Sequence, residues 1–331
     1  MIMNRNEIIE YLKTPNCDEL FTAADKVRNE YMGNEVYIRG IIEFSNFCCR
    51  NCFYCGLRTD NNKTERYRMT PQEIINIVET IYSKGIRTVV LQSGDDFGYS
   101  RSDICNIISL IKNKFDIAIT LSIGERKNDD YKAFRDAGAD RYLIKFETSN
   151  RSLYEKLHPR QDFNRRLEIL EILDSLGYQV GTGFMVGLPG ETIEDIANNI
   201  ILSKNIMPDM IGIGPFIPQK ETPLGHCSNG SVINTLKAIA LLRINLKYSH
   251  IPATTALASL DKNGLVKGLK CGANVIMPDF TPDTEKNKYR IYDNKQRITF
   301  DFAKDAISKA DRSLSLSRGD SLKKKEAIYE D

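Results

Sequence analysis

Four of the eight cysteines in this 331-residue chain lie within eight positions of one another. Cys48, Cys52 and Cys55 have the spacing C-x3-C-x2-C, and three thiolates on so short a loop can converge on three irons of a cubane cluster. That arrangement leaves the fourth iron without a protein ligand. Because a cluster that only carries electrons is normally held by four cysteines, an open iron invites a chelating ligand or substrate.

Zinc binding or disulfide chemistry is the alternative interpretation of this loop. A C-x2-C-x2-C spacing that begins at Cys49 is also legal, so the loop alone does not decide whether Cys48 or Cys49 is the first ligand. A structural zinc ion needs four tetrahedral ligands. The chain has only three histidines, and none of them lies near this loop in sequence.

Composition predicts a soluble globular protein and excludes two classes of partner. Charged residues make up 27% and hydrophobic residues 41%, as in ordinary soluble folds. A net charge of +2 argues against binding to nucleic acid. The polar first 13 residues contain no secretory signal, and there is no apolar run of about 18 residues that could span a membrane. Because the other cysteines are scattered, a reducing, cytoplasmic location is expected.

A strand alternates with a helix along most of the chain. For example, Thr70-Pro71-Gln72-Glu73 is a capping box that opens a helix to about Lys84, and the strand 88–92 follows it. The predicted strands are 35–44, 88–92, 117–121, 141–145, 180–186, 210–213, 253–255 and 274–277. Eight such units over about 245 residues are typical of a (β/α)8 barrel of the TIM type, with an open doubly wound sheet as the competing α/β fold.

Helical segments are expected on both sides of this barrel. We predict an N-terminal helical cap at 1–33, the barrel at 34–298, and a C-terminal extension at 299–331. That extension is predicted to be helical to near Leu314 and then to form a charged, flexible tail. Glycine-rich or polar stretches follow five of the predicted strands, at the carboxyl ends where barrels bind their ligands.

Several motifs together carry a resemblance to a known family. The motifs are EFSN (43–46), CGLR (55–58), RYRMT (66–70), LQSGDD (91–96), AGADRY (137–142), MVGLPG (185–190), IGPFIP (213–218), IPATTA (251–256) and CGANVIMP (271–278). The cysteine loop resembles that of radical S-adenosylmethionine (SAM) enzymes. With the other motifs, over roughly residues 30–295, the chain is similar to the HydE-type maturases of FeFe-hydrogenases.

This resemblance implies a role in building the diiron part of the hydrogenase metal cofactor. It implies one 4Fe–4S cluster and SAM, which the family cleaves reductively to release a 5′-deoxyadenosyl radical. The implied substrate is a small organometallic molecule, the cysteine-bound iron carbonyl cyanide synthon made by HydG. The product would pass to HydF and then to the apo-hydrogenase, and an electron donor such as ferredoxin or flavodoxin would also be needed.

The resemblance also assigns residues to the cofactors. The implied cluster ligands are Cys48, Cys52 and Cys55, with Cys49 as a neighbour that points away. The implied SAM contacts are Tyr54 near the adenine, Ser93 and Gly94 at the methionine amino group, Glu147 on the ribose hydroxyls and Arg166 at the methionine carboxylate. The ordinary alternatives are simple packing for Tyr54 and a surface ion pair for Glu147.

A second set of residues matches positions that line the family's substrate cavity. These are Met210, Thr254, Thr255, Tyr289 and Tyr292. Threonine hydroxyls and tyrosine phenols could hold cyanide, carbonyl or carboxylate groups of the substrate. Met210 could equally be part of the barrel core.

Two departures from the family pattern leave other functions open. Lys145-Phe146 stands where the family has Arg-His, and the cysteines that hold an accessory cluster in some members are absent, which argues for a single cluster. Methylornithine synthase has the same loop and barrel. Biotin synthase would need a second cluster held by cysteines on strands. A non-enzymatic iron–sulfur carrier would need neither Glu147 nor Arg166.

The cysteine spacing generates a direct test of the first ligand. Substituting Cys48→Ala should abolish cluster binding because only two ligands remain, whereas Cys49→Ala should retain the cluster. Both variants are reconstituted anaerobically with iron and sulfide, and the cluster is measured by its visible absorption and by iron content. An intact cluster spectrum in the Cys48→Ala protein would make Cys49 the first ligand.

Overall fold

The computed structural model describes residues 3–315 and 317–323 as an alternating series of strands and helices. The helices are α1 (Arg5–Lys13), α2 (Asp18–Met32), α3 (Pro71–Ser83), α4 (Arg101–Lys114), α5 (Asn128–Asp136), α6 (Arg151–Leu157), α7 (Phe163–Ser175), α8 (Ile193–Ile206), α9 (Val232–Asn245), α10 (Thr255–Leu260), α11 (Gly264–Lys270), α12 (Asp283–Lys286) and α13 (Phe300–Lys309). The strands are β1 (Glu35–Ile38), β2 (Gly40–Ser45), β3 (Thr88–Ser93), β4 (Ala118–Ser122), β5 (Arg141–Leu143), β6 (Gln179–Val186), β7 (Met210–Pro215), β8 (Val275–Ile276) and β9 (Ser313–Ser315). The predicted alternation is confirmed, and α6, α10 and α12 are additional to it.

The N-terminal segment forms two helices that pack on the outside of the barrel. Asn4 caps α1, because its side chain accepts from the Glu7 backbone N–H at 3.1 Å and the Glu7 carboxylate accepts from the Asn4 N–H at 2.7 Å. At the other end of α1, the buried ammonium of Lys237 on α9 donates to the carbonyls of Leu12 and Thr14. Helix α1 packs on α8 and α2 packs on α9.

The core of the barrel is a six-stranded parallel sheet in the order β2-β3-β4-β5-β6-β7. The strand predicted at 35–44 is divided at Arg39 into β1 and β2, which belong to different sheets. Strand β1 pairs in parallel with both β8 and β9. The predicted α/β fold is therefore confirmed, although its first strand serves two sheets.

Between β7 and β2, the barrel is closed by isolated bridges and not by a continuous pairing of long strands. Single bridges join Met210 to His250, Pro252 to Val275, and Ile41 to Asp279. The strand predicted at 253–255 is wrong, because the extended residues are 250–252 and Thr255 already begins α10. Two successive threonines favour a strand, but Thr254 instead occupies the N-cap position of that helix, which threonine also favours.

The interior of the barrel is hollow at its carboxyl end. In each of the six strands, one of the residues that share the inward face through the strand register remains partly exposed, while the alternate residues are buried beneath the helices. The partly exposed inward residues are Ile41, Gln92, Ser122, Leu143, Met185 and Gly212. The inward positions of β6 and β7 include Gly181, Gly183, Gly212 and Gly214. A Cβ at Gly181 would lie 2.7 Å from the Met210 methyl and a Cβ at Gly183 would lie 2.0 Å from the Gly212 carbonyl, so these two glycines allow close packing. At Gly212 the nearest atom would be 3.9 Å away, and a chamber remains beside it, where most barrels are packed.

The floor of the barrel is closed by the C-terminal segment. Arg141, fully buried at the start of β5, donates to the carbonyls of Arg318 at 2.9 Å and Gly319 at 3.1 Å, and to the Asp320 carboxylate at 2.8 Å. The Arg318 guanidinium in turn pairs with Asp140 at 2.8 Å. The guanidinium of a buried arginine needs several acceptors, and this segment supplies them.

The prediction of a helix to Leu314 followed by a solvated tail is therefore wrong over residues 310–315 and 317–323. Helix α13 ends at Lys309, and β9 then pairs with β1. The run of lysines and acidic residues at 324–331 lies outside the described residues. In the part of the chain that the structure describes, no helix is long and apolar enough to cross a membrane.

The contacts at the floor predict a stability difference between two truncations. Deleting residues 316–331 should lower the free energy of unfolding by about 3 kcal/mol, since charge-assisted hydrogen bonds to Arg141 contribute roughly 1.5–3 kcal/mol each. Deleting only 324–331 removes none of these bonds and is the matched control. Urea unfolding followed by circular dichroism under anaerobic conditions measures both. Equal unfolding free energies would show that the segment contributes nothing to the floor.

Candidate active site

The cysteine loop follows β2 at the carboxyl end of the barrel and has no regular secondary structure. The side chain of Arg66 makes hydrogen bonds to both ends of this loop. The Arg66 guanidinium donates to the carbonyls of Asn46 at 2.6 Å, Leu57 at 2.9 Å, Arg58 at 2.8 Å and Asn61 at 3.3 Å. These four carbonyls lie before and after the cysteines, so the arginine holds both ends of the loop together.

Cys48, Cys52 and Cys55 form one group, and Cys49 is separate from it. The Cys55 thiol lies in the electrostatic field of both Cys48 and Cys52. The exposed Cys49 instead lies in the field of Asp95, Arg50 and Arg126. This placement agrees with the expectation that Cys49 points away from the other three thiols.

Burial raises the pKa of the Cys48 thiol to about 12 and that of Cys52 to about 11. Thiols of this kind lose their protons on binding iron, whose charge favours the thiolate. Within residues 3–315 and 317–323, no three His, Cys, Asp or Glu side chains converge closely enough to hold a single metal ion. The three thiols are free and adjacent without forming a single-ion site.

The turn after β3 fits closely against the cysteine loop. A Cβ on Gly94 would lie 2.4 Å from the Phe47 carbonyl and 2.6 Å from Cys48 Cβ, so only glycine permits this approach. The Ser93 hydroxyl donates to the Gly94 carbonyl at 2.7 Å, and that carbonyl also accepts from the Asp96 N–H at 2.8 Å. The residues predicted to bind SAM at this turn thus lie beside the first predicted cluster ligand.

A chain of ion pairs links the cysteine loop to the rim of the barrel. Arg50 pairs with Asp95 at 2.6 Å and with Glu125 at 2.9 Å. Glu125 also accepts from Arg166 at 2.8 Å. The other Arg166 contacts are with the Lys145 carbonyl and with the Gln161 side chain. Arg166 is therefore well fixed at the rim, and its guanidinium already makes several protein contacts, while its role at the methionine carboxylate stays a prediction.

Glu147 lies at the end of β5 in a left-handed backbone conformation, with φ of 64°. A non-glycine residue in this region is strained by about 1–3 kcal/mol, and such strain is often found at functional sites. Its carboxylate pairs with Lys145 at 3.3 Å and its charge acts on Tyr54 and Cys52. The structure thus brings Glu147 to the cysteine loop. Phe146, which replaces the expected histidine, packs in the core on Phe184.

Tyr54 is held by a buried histidine that sequence reasoning did not identify. Burial lowers the pKa of the His158 imidazole to about 3, so the ring is neutral at pH 7. Its Nδ1 lies 2.8 Å from the Tyr154 carbonyl, which can only accept, so Nδ1 carries the proton. Its Nε2 therefore accepts from the Tyr54 hydroxyl at 2.7 Å. The tyrosine ring is oriented between two predicted cluster ligands.

The predicted substrate residues occupy two depths of the chamber. The Thr254 hydroxyl is buried without a partner among the described residues, near Gly214 at the upper end of β7. Thr255 begins α10, and Tyr292 bonds Ser259 on that helix. Tyr289 and Met210 lie apart from Thr254, Thr255 and Tyr292. The Tyr289 hydroxyl contacts Gln92 at 3.3 Å. Met210 is buried four residues before Gly214, about 13 Å lower along the strand.

Two inward charges were missed by sequence reasoning. Arg39 is fully buried, contacts the Met210 sulfur, and has no partner for Nε and Nη2 among the described residues. Glu43 is buried on β2 and pairs with Lys295, and burial raises the pKa of its carboxyl to about 7. Both are lone charges within the β-branched run 35–45, a signal that an inward-facing functional residue can leave in a sequence.

Further polar groups, either buried without a partner in the described chain or accessible, line the chamber. The Thr120 hydroxyl is buried on the inward face of β4 without a partner in the described chain. Tyr289, Tyr292 and Lys295 line a cavity of about 500 Å³ at the upper end. The arrangement can accept a polar, negatively charged molecule below the cysteine loop.

Comparison with known proteins agrees with this geometry. A family model described as "Radical SAM superfamily" matches residues 42–200. The [FeFe] hydrogenase maturase subunit HydE of Thermotoga maritima is 48% identical over 278 residues, which cover 84% of this chain and 80% of that protein. The 3-methylornithine synthase of Methanosarcina acetivorans is 31% identical over 83% of this chain and 78% of that protein.

Solved structures show the same architecture. The crystal structure of methylornithine synthase (PylB) superposes with a TM-score of 0.86 at 26% identity, and covers 99% of this chain and 97% of that one. The barrel with its cysteine loop defines the class of radical SAM enzymes. Within that class, this chain belongs to the HydE family.

The position of Glu147 predicts a selective defect in SAM binding. The Glu147→Gln variant should keep its cluster but bind SAM at least about tenfold more weakly, because charge-assisted hydrogen bonds contribute roughly 1.5–3 kcal/mol each. Calorimetry on the reconstituted protein measures the affinity. Glu155→Gln, on the exposed face of α6, makes the same charge change away from the site and is the control. An unchanged affinity in Glu147→Gln would remove the ribose-binding role.

Proposed function

We propose that this enzyme holds one 4Fe–4S cluster through Cys48, Cys52 and Cys55 and uses it with SAM in the maturation of FeFe-hydrogenase. When bound, the cluster supplies an electron and an open iron for the reductive cleavage of SAM to a 5′-deoxyadenosyl radical. The observation that carries the proposal is the hollow barrel, whose open end carries the three-thiol loop. The 48% identity to the Thermotoga HydE supports the reaction class.

The chain's own residues position SAM at the rim of the chamber. Tyr54, oriented by His158, offers its ring to the adenine. Glu147 accepts from the ribose hydroxyls, and its left-handed backbone aims the carboxylate at the cysteine loop. Ser93 and Gly94 face the methionine amino group and Arg166 the carboxylate. The cleavable bond of SAM would then lie over the chamber, so that the radical forms next to a substrate below it.

The chamber fits a small anionic substrate. Arg39 Nε and Nη2 have no partner among the described residues, and the same holds for the Thr120 and Thr254 hydroxyls. Although Asp320 and Asp209 act on this guanidinium, buried donors without partners are costly, which favours binding of an acceptor such as an anion. The proposed substrate is the cysteine-bound iron carbonyl cyanide synthon, whose carboxylate and cyanide groups these donors, with Met210, Thr255, Tyr289 and Tyr292, would hold.

The proposed partners follow from that substrate. HydG would supply the synthon, HydF would receive the product, and a ferredoxin or flavodoxin would supply electrons. The proposed location is the cytoplasm.

A methylornithine synthase-like reaction is the second candidate, favoured by the close superposition on PylB. Biotin synthase is less well supported by the positions of the remaining cysteines. Cys17 is the N-cap of α2, Cys105 lies on α4, Cys227 lies in a loop and Cys271 follows α11. None of these lies on a barrel strand, where a second cluster would need it.

The decisive experiment is anaerobic maturation of an apo FeFe-hydrogenase with HydG and HydF. Hydrogen evolution should require this protein and should be lost with Cys48→Ala, while Cys49→Ala, altered at the exposed neighbouring cysteine, should retain it. Formation of 5′-deoxyadenosine is followed in parallel by chromatography.

The outcomes separate the candidates. Hydrogenase activity in the absence of this protein would contradict the maturation role. Formation of 5′-deoxyadenosine without maturation would favour the second candidate, to be tested by assaying for 3-methylornithine with a panel of amino acids. Absence of both would contradict radical SAM chemistry and favour a non-enzymatic iron–sulfur carrier.

A further inference from the structure

The last residue of α6 and the linker that follows it make three contacts with the cysteine loop. The Phe53 N–H donates to the Leu157 carbonyl at 3.0 Å. The Tyr54 hydroxyl bonds His158 at 2.7 Å. The Gln161 amide donates from Nε2 to the Cys52 sulfur at 3.3 Å. Each of residues 52, 53 and 54 is thus hydrogen-bonded to a residue within 157–161.

The orientation of the Gln161 amide is determined by its other partner. Its Oε1 accepts from Arg166 Nη2 at 3.0 Å, and because an arginine can only donate, the oxygen must face the guanidinium. The NH2 group must then face the Cys52 sulfur. The Gln161 backbone is also fixed, since its N–H donates to the His158 carbonyl at 3.0 Å.

The contact is selective for one of the three predicted ligands. Cys48 accepts from backbone N–H groups, that of Arg50 at 3.4 Å and that of Asp95. Among residues 3–315 and 317–323, no other side chain donates a hydrogen bond to Cys48, Cys52 or Cys55. Gln161 is therefore the neutral side-chain donor aimed at the cluster site, beside the charged chain Arg50–Glu125–Arg166.

We propose that Gln161 is a positioning residue that sets the reduction potential of the cluster through an N–H···S hydrogen bond to Cys52. This inference rests on the cluster-binding part of the proposed function. A hydrogen bond to a ligand sulfur is stronger when the cluster carries more negative charge, so it favours the reduced form and raises the potential. Arg166 acts through Gln161 by keeping the amide in the donating orientation.

The test is a redox titration of the reconstituted cluster, followed by electron paramagnetic resonance in the absence of SAM. Gln161→Leu keeps most of the volume and removes the donor. At a fixed potential near the wild-type midpoint, its ratio of reduced to oxidised cluster should fall about tenfold, which corresponds to a shift of about 59 mV to more negative potential for one electron. Gln72→Leu, on the exposed face of α3, is the control and should titrate as wild type.

A second measurement uses the unmodified protein, so the test does not depend on the variant folding. Protein labelled with amide-15N glutamine should show a nitrogen coupling in pulsed electron paramagnetic resonance of the reduced cluster. An unchanged potential in Gln161→Leu with full cluster content, or the absence of that coupling, would overturn the inference while leaving the proposed function intact. Failure of the wild-type protein to hold a cluster would instead overturn the proposed function.

Discussion

The hydrogen bonds of Arg66 to four backbone carbonyls are the interaction on which the site depends. The cysteine loop contains no helix or strand, so its own backbone offers few bonds that could hold three thiols in a fixed arrangement. A guanidinium supplies five donors in a rigid plane, and here they join residues 46 and 57–61 across the cysteines. Since charge-assisted hydrogen bonds contribute roughly 1.5–3 kcal/mol each, one side chain provides much of the order of the loop.

The rest of the site is built by contacts that arrive at this loop from separate parts of the chain. The turn after β3 approaches it at Gly94, and the α6–α7 linker binds it through Gln161 and His158. Arg50 reaches outward to Asp95 and Glu125. A shift in any one of these elements would alter the electrostatics around the thiols. The side chains proposed to hold the cluster and those proposed to bind SAM are in this way linked by direct contacts.

A hollow barrel loses interior packing, and hydrogen bonds at the lower end of this barrel compensate for that loss. Most barrels fill their interior with branched side chains, whereas inward positions of this one, such as Gln92, Ser122 and Gly212, remain partly exposed. The lost packing is replaced at the floor by Arg141 and by the segment 318–321, which close the chamber with hydrogen bonds. Arg39 lies in the field of Asp320 and Asp209, and its Nε and Nη2 have no partner among the described residues, a destabilising feature of the kind found at functional sites.

The sequence by itself determined the alternating fold, the ligand spacing of the cysteine loop and the family, because these depend on local periodicity and on residues close together in the chain. The inward positions of Arg39 and Glu43, the orientation of the Gln161 amide and the His158 tautomer were decided only by the tertiary structure. The two inward charges depend on which face of a strand points inward, and their contacts, Met210 and Lys295, lie more than 100 residues away. The amide and the tautomer are set by near neighbours, Arg166 and Tyr154, but the groups that they face, Cys52 and Tyr54, lie more than 100 residues earlier in the chain. The C-terminal segment shows the same limit. The charged sequence after residue 309 indicates exposure to solvent, yet the Arg318 carbonyl accepts a hydrogen bond from Arg141, a buried arginine 177 residues earlier in the chain.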